Sequence, residues 1–223
     1  MIVVAVPVKD LENAKQRLVP VLSPAERAGL AHAMLCDVLR TLEGARVDEV
    51  WVVTRDPAVQ VLAREHRCRV LEEDRNLGHT AAARHAQAEA KRAGADVFVT
   101  VPGDVPCLTA SELDTLVAAV GSAPAAAFSA SRSGVGTNGA ALAPADLLPL
   151  RFGEPSFADH LAAARNAGVE PTVLALPGLG LDIDGADDLR ALLAHTASTE
   201  SARLLRAWAV GARLDGTGLR ASR

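Results

Sequence analysis

Short unbroken apolar runs alternate along the chain with stretches in which apolar residues recur every three or four positions. The runs from Ile2 to Pro7, Val50 to Thr54 and Val97 to Val101 are too short for helices and rich in β-branched residues, the pattern of strands covered on both faces. Fainter runs at 69–71, 125–130, 139–142, 172–176 and 180–183 extend the series. Two capping boxes, Ser23 with Glu26 and Thr109 with Glu112, open helices whose inner faces carry Leu30, Met34, Val38 and Leu42 in one case and Leu113, Leu116, Val117 and Val120 in the other. Further helices are expected after Asp56-Pro57, over about Thr80 to Ala93 with Gly94 as terminator, from a Ser156 cap to about Ala167, and from Asp184-Gly185 through Leu192. Strands that alternate with helices in this way predict an α/β protein, a three-layer α/β/α sandwich on a mostly parallel sheet, over residues 1–193. Residues 194–223 form a tail with helical spacing around 200–213, and the pattern leaves open whether that tail packs on the domain, pairs with another subunit or stays loose.

Composition narrows the function classes. The chain has 223 residues, 49% hydrophobic, and a formal net charge of -4, which argues against a nucleic-acid binder that relies on a general basic surface. The first residues lack a basic region ahead of their apolar run, and no segment approaches a membrane span, so a cytoplasmic protein without a membrane role is expected. Cys36, Cys68 and Cys107 form no Cys-x-x-Cys pair and read as reduced, buried packing residues. Of 23 basic residues only three are lysines, and two of those, Lys9 and Lys15, share one early loop with Arg17. An anionic ligand would need such a local cluster.

Candidate chemistry gathers at strand ends. Asp104 follows the run at Val97 beyond Pro102-Gly103, where open α/β sheets bind their ligands, although an acid there also suits a plain turn. Asp182 and Asp184 end the last apolar run and would bring their carboxylates to the same edge. Two such carboxylates hold Mg²⁺, an ion that favours one or two protein acids plus substrate phosphates. For Asp184 a helix N-cap is an equally good reading. Lys9, Lys15 and Arg17 are placed to spread the charge of a triphosphate, with a solvated loop as the competing reading. The turns at Gly78-His79-Thr80 and Gly136-Thr137-Asn138 suit close backbone approach to a ligand and equally suit plain turn chemistry, and Gly153 and Ser156 precede a helix whose free N–H groups attract anions. Arg151 and His160 flank that helix start and receive no catalytic role. Neither a Ser-His-Asp ordering nor a P-loop is present, which leaves metal-assisted phosphoryl-group transfer.

Together VPVKDLENAKQRL, VPGDVPCL, GTN, RFGEPSF and LDIDGADDL resemble the guanylyltransferases of deazaflavin coenzyme F-420 biosynthesis, across roughly residues 1 to 193. The resemblance implies a GT-A-like nucleotidyltransferase fold and the joining of GMP from GTP to a small phosphorylated acid: 2-phospho-L-lactate, phosphoenolpyruvate or 3-phospho-D-glycerate. It also implies roles. Asp104 with one or both of Asp182 and Asp184 matches the magnesium ligands, Lys9 and Lys15 the GTP phosphate contacts, and Thr137, Gly153 and Ser156 the acceptor site. Arg17, Gly78 and Thr80 join as substrate-binding candidates. This chain has Gly78-His79-Thr80 where the family usually has Gly-Leu-Asn, so base contacts and acceptor choice stay open. A homodimer paired edge to edge is compatible with the family. The competing readings are a GT-A glycosyltransferase or another nucleotidyltransferase, and an inactive nucleotide-binding subunit.

Overall fold

The computed structural model describes residues 1–12, 14–73, 75 and 77–218. Its centre is a seven-stranded sheet in the order β3-β2-β1-β4-β6-β5-β7, formed by β1 (Ile2–Pro7), β2 (Glu49–Thr54), β3 (Arg69–Glu72), β4 (Val97–Thr100), β5 (Ala125–Ala130), β6 (Thr137–Ala143) and β7 (Thr172–Leu174). β6 alone runs against its neighbours β4 and β5; the other pairings are parallel. That reversal matters for function. Because Thr100 pairs with Ala140, the first residues of β6 lie at the edge where β1 and β4 end.

Alternation along β1 divides the core. Val4 and Val6 pack with α1 (Pro24–Glu43), α2 (Pro57–Glu65), α4 (Ala110–Ala118) and α7 (Ala186–Ala194) on one face. Val3 and Ala5 pack with α3 (His79–Arg92) and α5 (Ser156–Asn166) on the other. The result is the expected three layers. Both capping boxes form, with Ser23 accepting from the Glu26 N–H and Thr109 from that of Glu112. The tail region holds α8 (Glu200–Ala207) and α9 (Val210–Gly218), and Ala202, Leu205, Val210 and Leu214 join the α1 side of the core.

The structure departs from the sequence expectations at three places. The run at 180–183 is not a strand: Pro177–Gly180 forms a single helical turn, α6, and 181–184 crosses the sheet edge without a ladder partner among the described residues. Pro177 starts that turn, and Gly178 fits where any Cβ would lie 2.2 Å from the Cys107 carbonyl oxygen. Ser156 is the first helical residue of α5 rather than its cap, because Pro155 occupies the cap position and offers no side-chain acceptor. At α7 the cap position falls to Gly185, and Asp188 accepts from the Asp184 and Gly185 N–H groups, which leaves the Asp184 carboxylate for other partners. Gly134, Gly136 and Gly139 have G-x-G-x-x-G spacing, but they enter strand β6 rather than a helix, so the run is not a dinucleotide fingerprint.

Candidate active site

The loop after β1 delivers Lys15 to the carboxyl edge of the sheet. Its backbone is left-handed, with φ 56°, and the 3-10 turn it opens (Gln16–Leu18) is pinned by fully buried Leu18. The Lys15 ammonium lies 2.5 Å from an Asp104 carboxylate oxygen and 3.0 Å from Asp184, with only 8% of its side chain exposed. Burial opposes the charge on Lys15, but the attraction of Asp104 and then Asp184 outweighs it and raises the pKa. Arg17 stands at the rim, 3.7 Å from Asp184, and Lys9 is exposed beside the same cleft.

Asp104 sits two residues beyond Pro102 in a turn packed closely enough that a Cβ on Gly103 would meet Val8 and Leu35 at 3.3 Å. One of its carboxylate oxygens takes Lys15; the other, Oδ1, is buried and has no hydrogen-bond partner among the described residues. Its backbone carbonyl accepts from the Ile183 N–H at 3.2 Å, which brings the 181–184 segment alongside. Asp182 then accepts from Asn138 Nδ2 at 3.0 Å. Burial raises the Asp182 pKa, Asn138 pulls it down, and the nearby Asp104 and Asp184 charges push it up again. The three acids named from the sequence therefore converge, but with an ammonium among them. Among the described residues no group of three or more acidic, histidine or cysteine side chains is arranged to hold a metal unaided.

Two recesses meet at these acids. One, of about 570 Å³, runs along Lys9, Lys15, Met34 and Leu35; the other, of about 560 Å³, is lined by Thr137, Asn138, Gly153, Ser156 and Asp182. Arg17, His79, Pro102, Asp104 and Asp184 border both. In the second recess buried Ser156 accepts from the Thr137 N–H at 3.0 Å and donates to the Thr137 hydroxyl oxygen at 3.2 Å. Gly153 holds φ 115°, a conformation that favours glycine, and Gly78 holds φ 93° ahead of α3.

Thr80, a substrate-binding candidate in the sequence, has its hydroxyl engaged elsewhere: it donates to the Phe152 carbonyl and accepts from the Phe152 N–H. It thus ties the start of α3 to the Gly153 loop. Three residues that received no role from sequence alone shape the site: Asn138, His79, whose ring meets Phe152 edge-on at 4.5 Å, and His160. For His160 a signal existed, since Ser156, His160 and Ala164 recur at fourfold spacing as the buried face of α5. Cys107, close in sequence to Asp104, is 1% exposed with its thiol pushed up to about 11 by burial, a packing residue.

Known proteins supply the remaining evidence. Residues 2–219 match the family described as "Guanylyl transferase CofC like". The chain belongs to this family. Phosphoenolpyruvate guanylyltransferases of Sphaerobacter thermophilus and Rubrobacter xylanophilus are 40% and 37% identical to it, over 86% and 84% of this chain and 93% and 91% of theirs. The 2-phospho-L-lactate guanylyltransferase of Methanothermobacter thermautotrophicus is 33% identical over 90% of this chain and 88% of its own. As a CofC-like protein the chain is a nucleotidyltransferase. Solved structures agree on the fold. A nucleotide-diphospho-sugar transferase homologue from Desulfovibrio desulfuricans superposes with TM-score 0.77 at 16% identity, over 96% of this chain and 97% of that one. A nucleotidyl transferase from Methanothermobacter thermautotrophicus gives 0.62 at 19%, over 93% and 99%. No helix among the described residues of this CofC-like chain is long and apolar enough to cross a membrane.

Proposed function

We propose that the chain transfers GMP from GTP to phosphoenolpyruvate with release of diphosphate, and that its product feeds coenzyme F-420 biosynthesis. The observation that carries this reading is the pair of recesses joined at Asp104 and Asp184: a nucleotide and a phosphorylated acid would meet there with their phosphates adjacent. The acceptor follows the names of two relatives of this chain, both phosphoenolpyruvate guanylyltransferases.

The chemistry needs no protein base. A phosphate monoester with a second pKa near 6 is largely dianionic at pH 7, so an acceptor phosphate oxygen attacks the α-phosphorus directly. One P–O bond forms there while the bond from the α-phosphorus to the bridging oxygen of the β-phosphate breaks in line. Lys9, Lys15 and Arg17 stabilise the charge that builds on the departing diphosphate. Asp104 with one or both of Asp182 and Asp184 would hold Mg²⁺, and the buried Asp104 oxygen that has no partner among the described residues fits a cation that completes its shell with phosphate oxygens. Bound there, the ion would neutralise phosphate charge and clamp the reacting groups.

The deciding assay is Mg²⁺-dependent diphosphate release from GTP with phosphoenolpyruvate, 2-phospho-L-lactate and 3-phospho-D-glycerate in parallel, and with ATP, CTP and UTP as controls. Phosphoenolpyruvate with GTP should give the highest kcat/KM. Silence with every acid, or equal rates with all four nucleotides, would overturn the proposal.

A further inference from the structure

His160 is 1% exposed on α5, stacked on Phe128 with ring centroids 5.3 Å apart, and both of its nitrogens are engaged. The Arg151 N–H donates to Nε2 at 2.9 Å. A backbone N–H can only donate, so Nε2 carries no proton. Burial pushes the imidazole down to about 4, so at neutral pH the ring keeps a single proton, which must sit on Nδ1. Nδ1 lies 2.9 Å from the Thr137 hydroxyl oxygen, and its N–H therefore donates to that oxygen. The Ser156 hydroxyl donates to the same oxygen. A hydroxyl has two acceptor sites and one proton. With both acceptor sites of Thr137 filled from the protein side, its own O–H is left to donate, and Thr137 lines the recess.

We infer that His160 is a positioning residue that fixes the Thr137 hydroxyl as a donor to an anionic oxygen of the phosphorylated acceptor. The chain of constraint runs from the Arg151 N–H through the imidazole to Thr137, and it converts a group able to turn either way into a one-way donor. A neutral donor of this kind suits a site that already holds acids close by, since it recognises an anion without forming an ion pair with Asp182. The inference rests on the acceptor-transfer reading above, because it names what occupies the Thr137 recess.

Three substitutions, one pair of them combined, and one spectrum test it. His160→Phe keeps the stacking on Phe128 and removes both ring nitrogens. It should raise the acceptor KM by about tenfold, at the low end of the roughly 10–100-fold lost when residues that orient metal-ligating side chains are removed, while the KM for GTP stays unchanged. His160→Asn places an amide N–H where Nδ1–H stands and should recover most of the loss. In a Thr137→Val background the His160→Phe change should add nothing, as expected of residues that act through one contact. Nitrogen-15 spectra of the wild-type imidazole should show Nδ1 protonated and Nε2 bare. An unmoved acceptor KM, parallel rises in both KM values, additive losses, or a protonated Nε2 would each overturn the inference. If the wild type itself is silent with every acceptor, the guanylyl-transfer reading fails; if it turns over and His160→Phe matches it, only the role of His160 fails.

Discussion

At the residue scale the decisive feature is the Lys15 ammonium lodged between Asp104 and Asp184. A buried ion pair adds little net stability over an apolar replacement, whereas removing one partner costs about 3–5 kcal/mol because the other charge is left alone. Lys15 retains a second acid if Asp104 is lost, so a smaller cost is expected here. Asp104→Asn should therefore lower stability in urea unfolding by about 1–2 kcal/mol and reduce turnover by roughly 10²–10³. Lys15→Met should lose activity as well while leaving the thermal midpoint of Asp104→Asn unchanged or higher when the two are combined. A double variant less stable than Asp104→Asn alone would contradict the pairing. The acids and lysines were legible in the sequence because each ends or follows an apolar run. Thr80 was not, since its partner Phe152 lies 72 residues away and nothing local marks the contact.

At the scale of elements, α5 shows how a helix start becomes a recess wall. Its start lacks a side-chain cap, and its first two turns instead lend Ser156 and His160 to Thr137 on β6. The same buried histidine sets a pH dependence. Burial lowers its pKa from 6.5 to about 4, with Asp159 a smaller opposing influence. Between those values the unfolded chain binds the proton more readily, so stability is complete above pH 6.5 and falls as pH drops toward 4. The part due to His160 amounts to about 2 kcal/mol at pH 5. Urea midpoints at pH 7.5 and 5 should separate less in His160→Phe than in wild type; an equal separation would show that the ring is not held neutral. The helix itself was read from a Ser156 cap whose place Pro155 takes in the structure, whereas α1 and α4 were readable from capping boxes that do form. The supposed strand at 180–183 misled because a short apolar run with glycines serves an α6 turn as readily as a strand.

For the whole molecule, the layered α/β arrangement followed from alternating patterns, while the reversal of β6 did not, because nothing in its apolar run encodes direction. Nor did the sequence settle where 194–223 would go. In the structure Asp37, 5% exposed on α1, accepts from the Glu200 and Ser201 N–H groups at 2.8 and 2.9 Å and from the Ser201 hydroxyl at 2.7 Å. A carboxylate at a helix start also faces the favourable end of its dipole. Asp37→Ala should cost about 2–3 kcal/mol, since it leaves buried donors unmatched, and calorimetry should show the melting temperature falling by several degrees. An unchanged melting temperature would mean that α8 is not held through this side chain.

That seam has a consequence for how the protein is made. Ala202, Leu205, Val210 and Leu214 complete a core whose other members include Leu30, Val38 and Leu39 of α1. A ribosome releases α1 long before these residues emerge from its exit tunnel. Until then the nascent chain presents a helix with an uncovered oily flank and an acid that has lost its donors. Closure of this face therefore waits on α8 and α9, and the interval before they emerge is when it is most exposed to chaperones and to self-association.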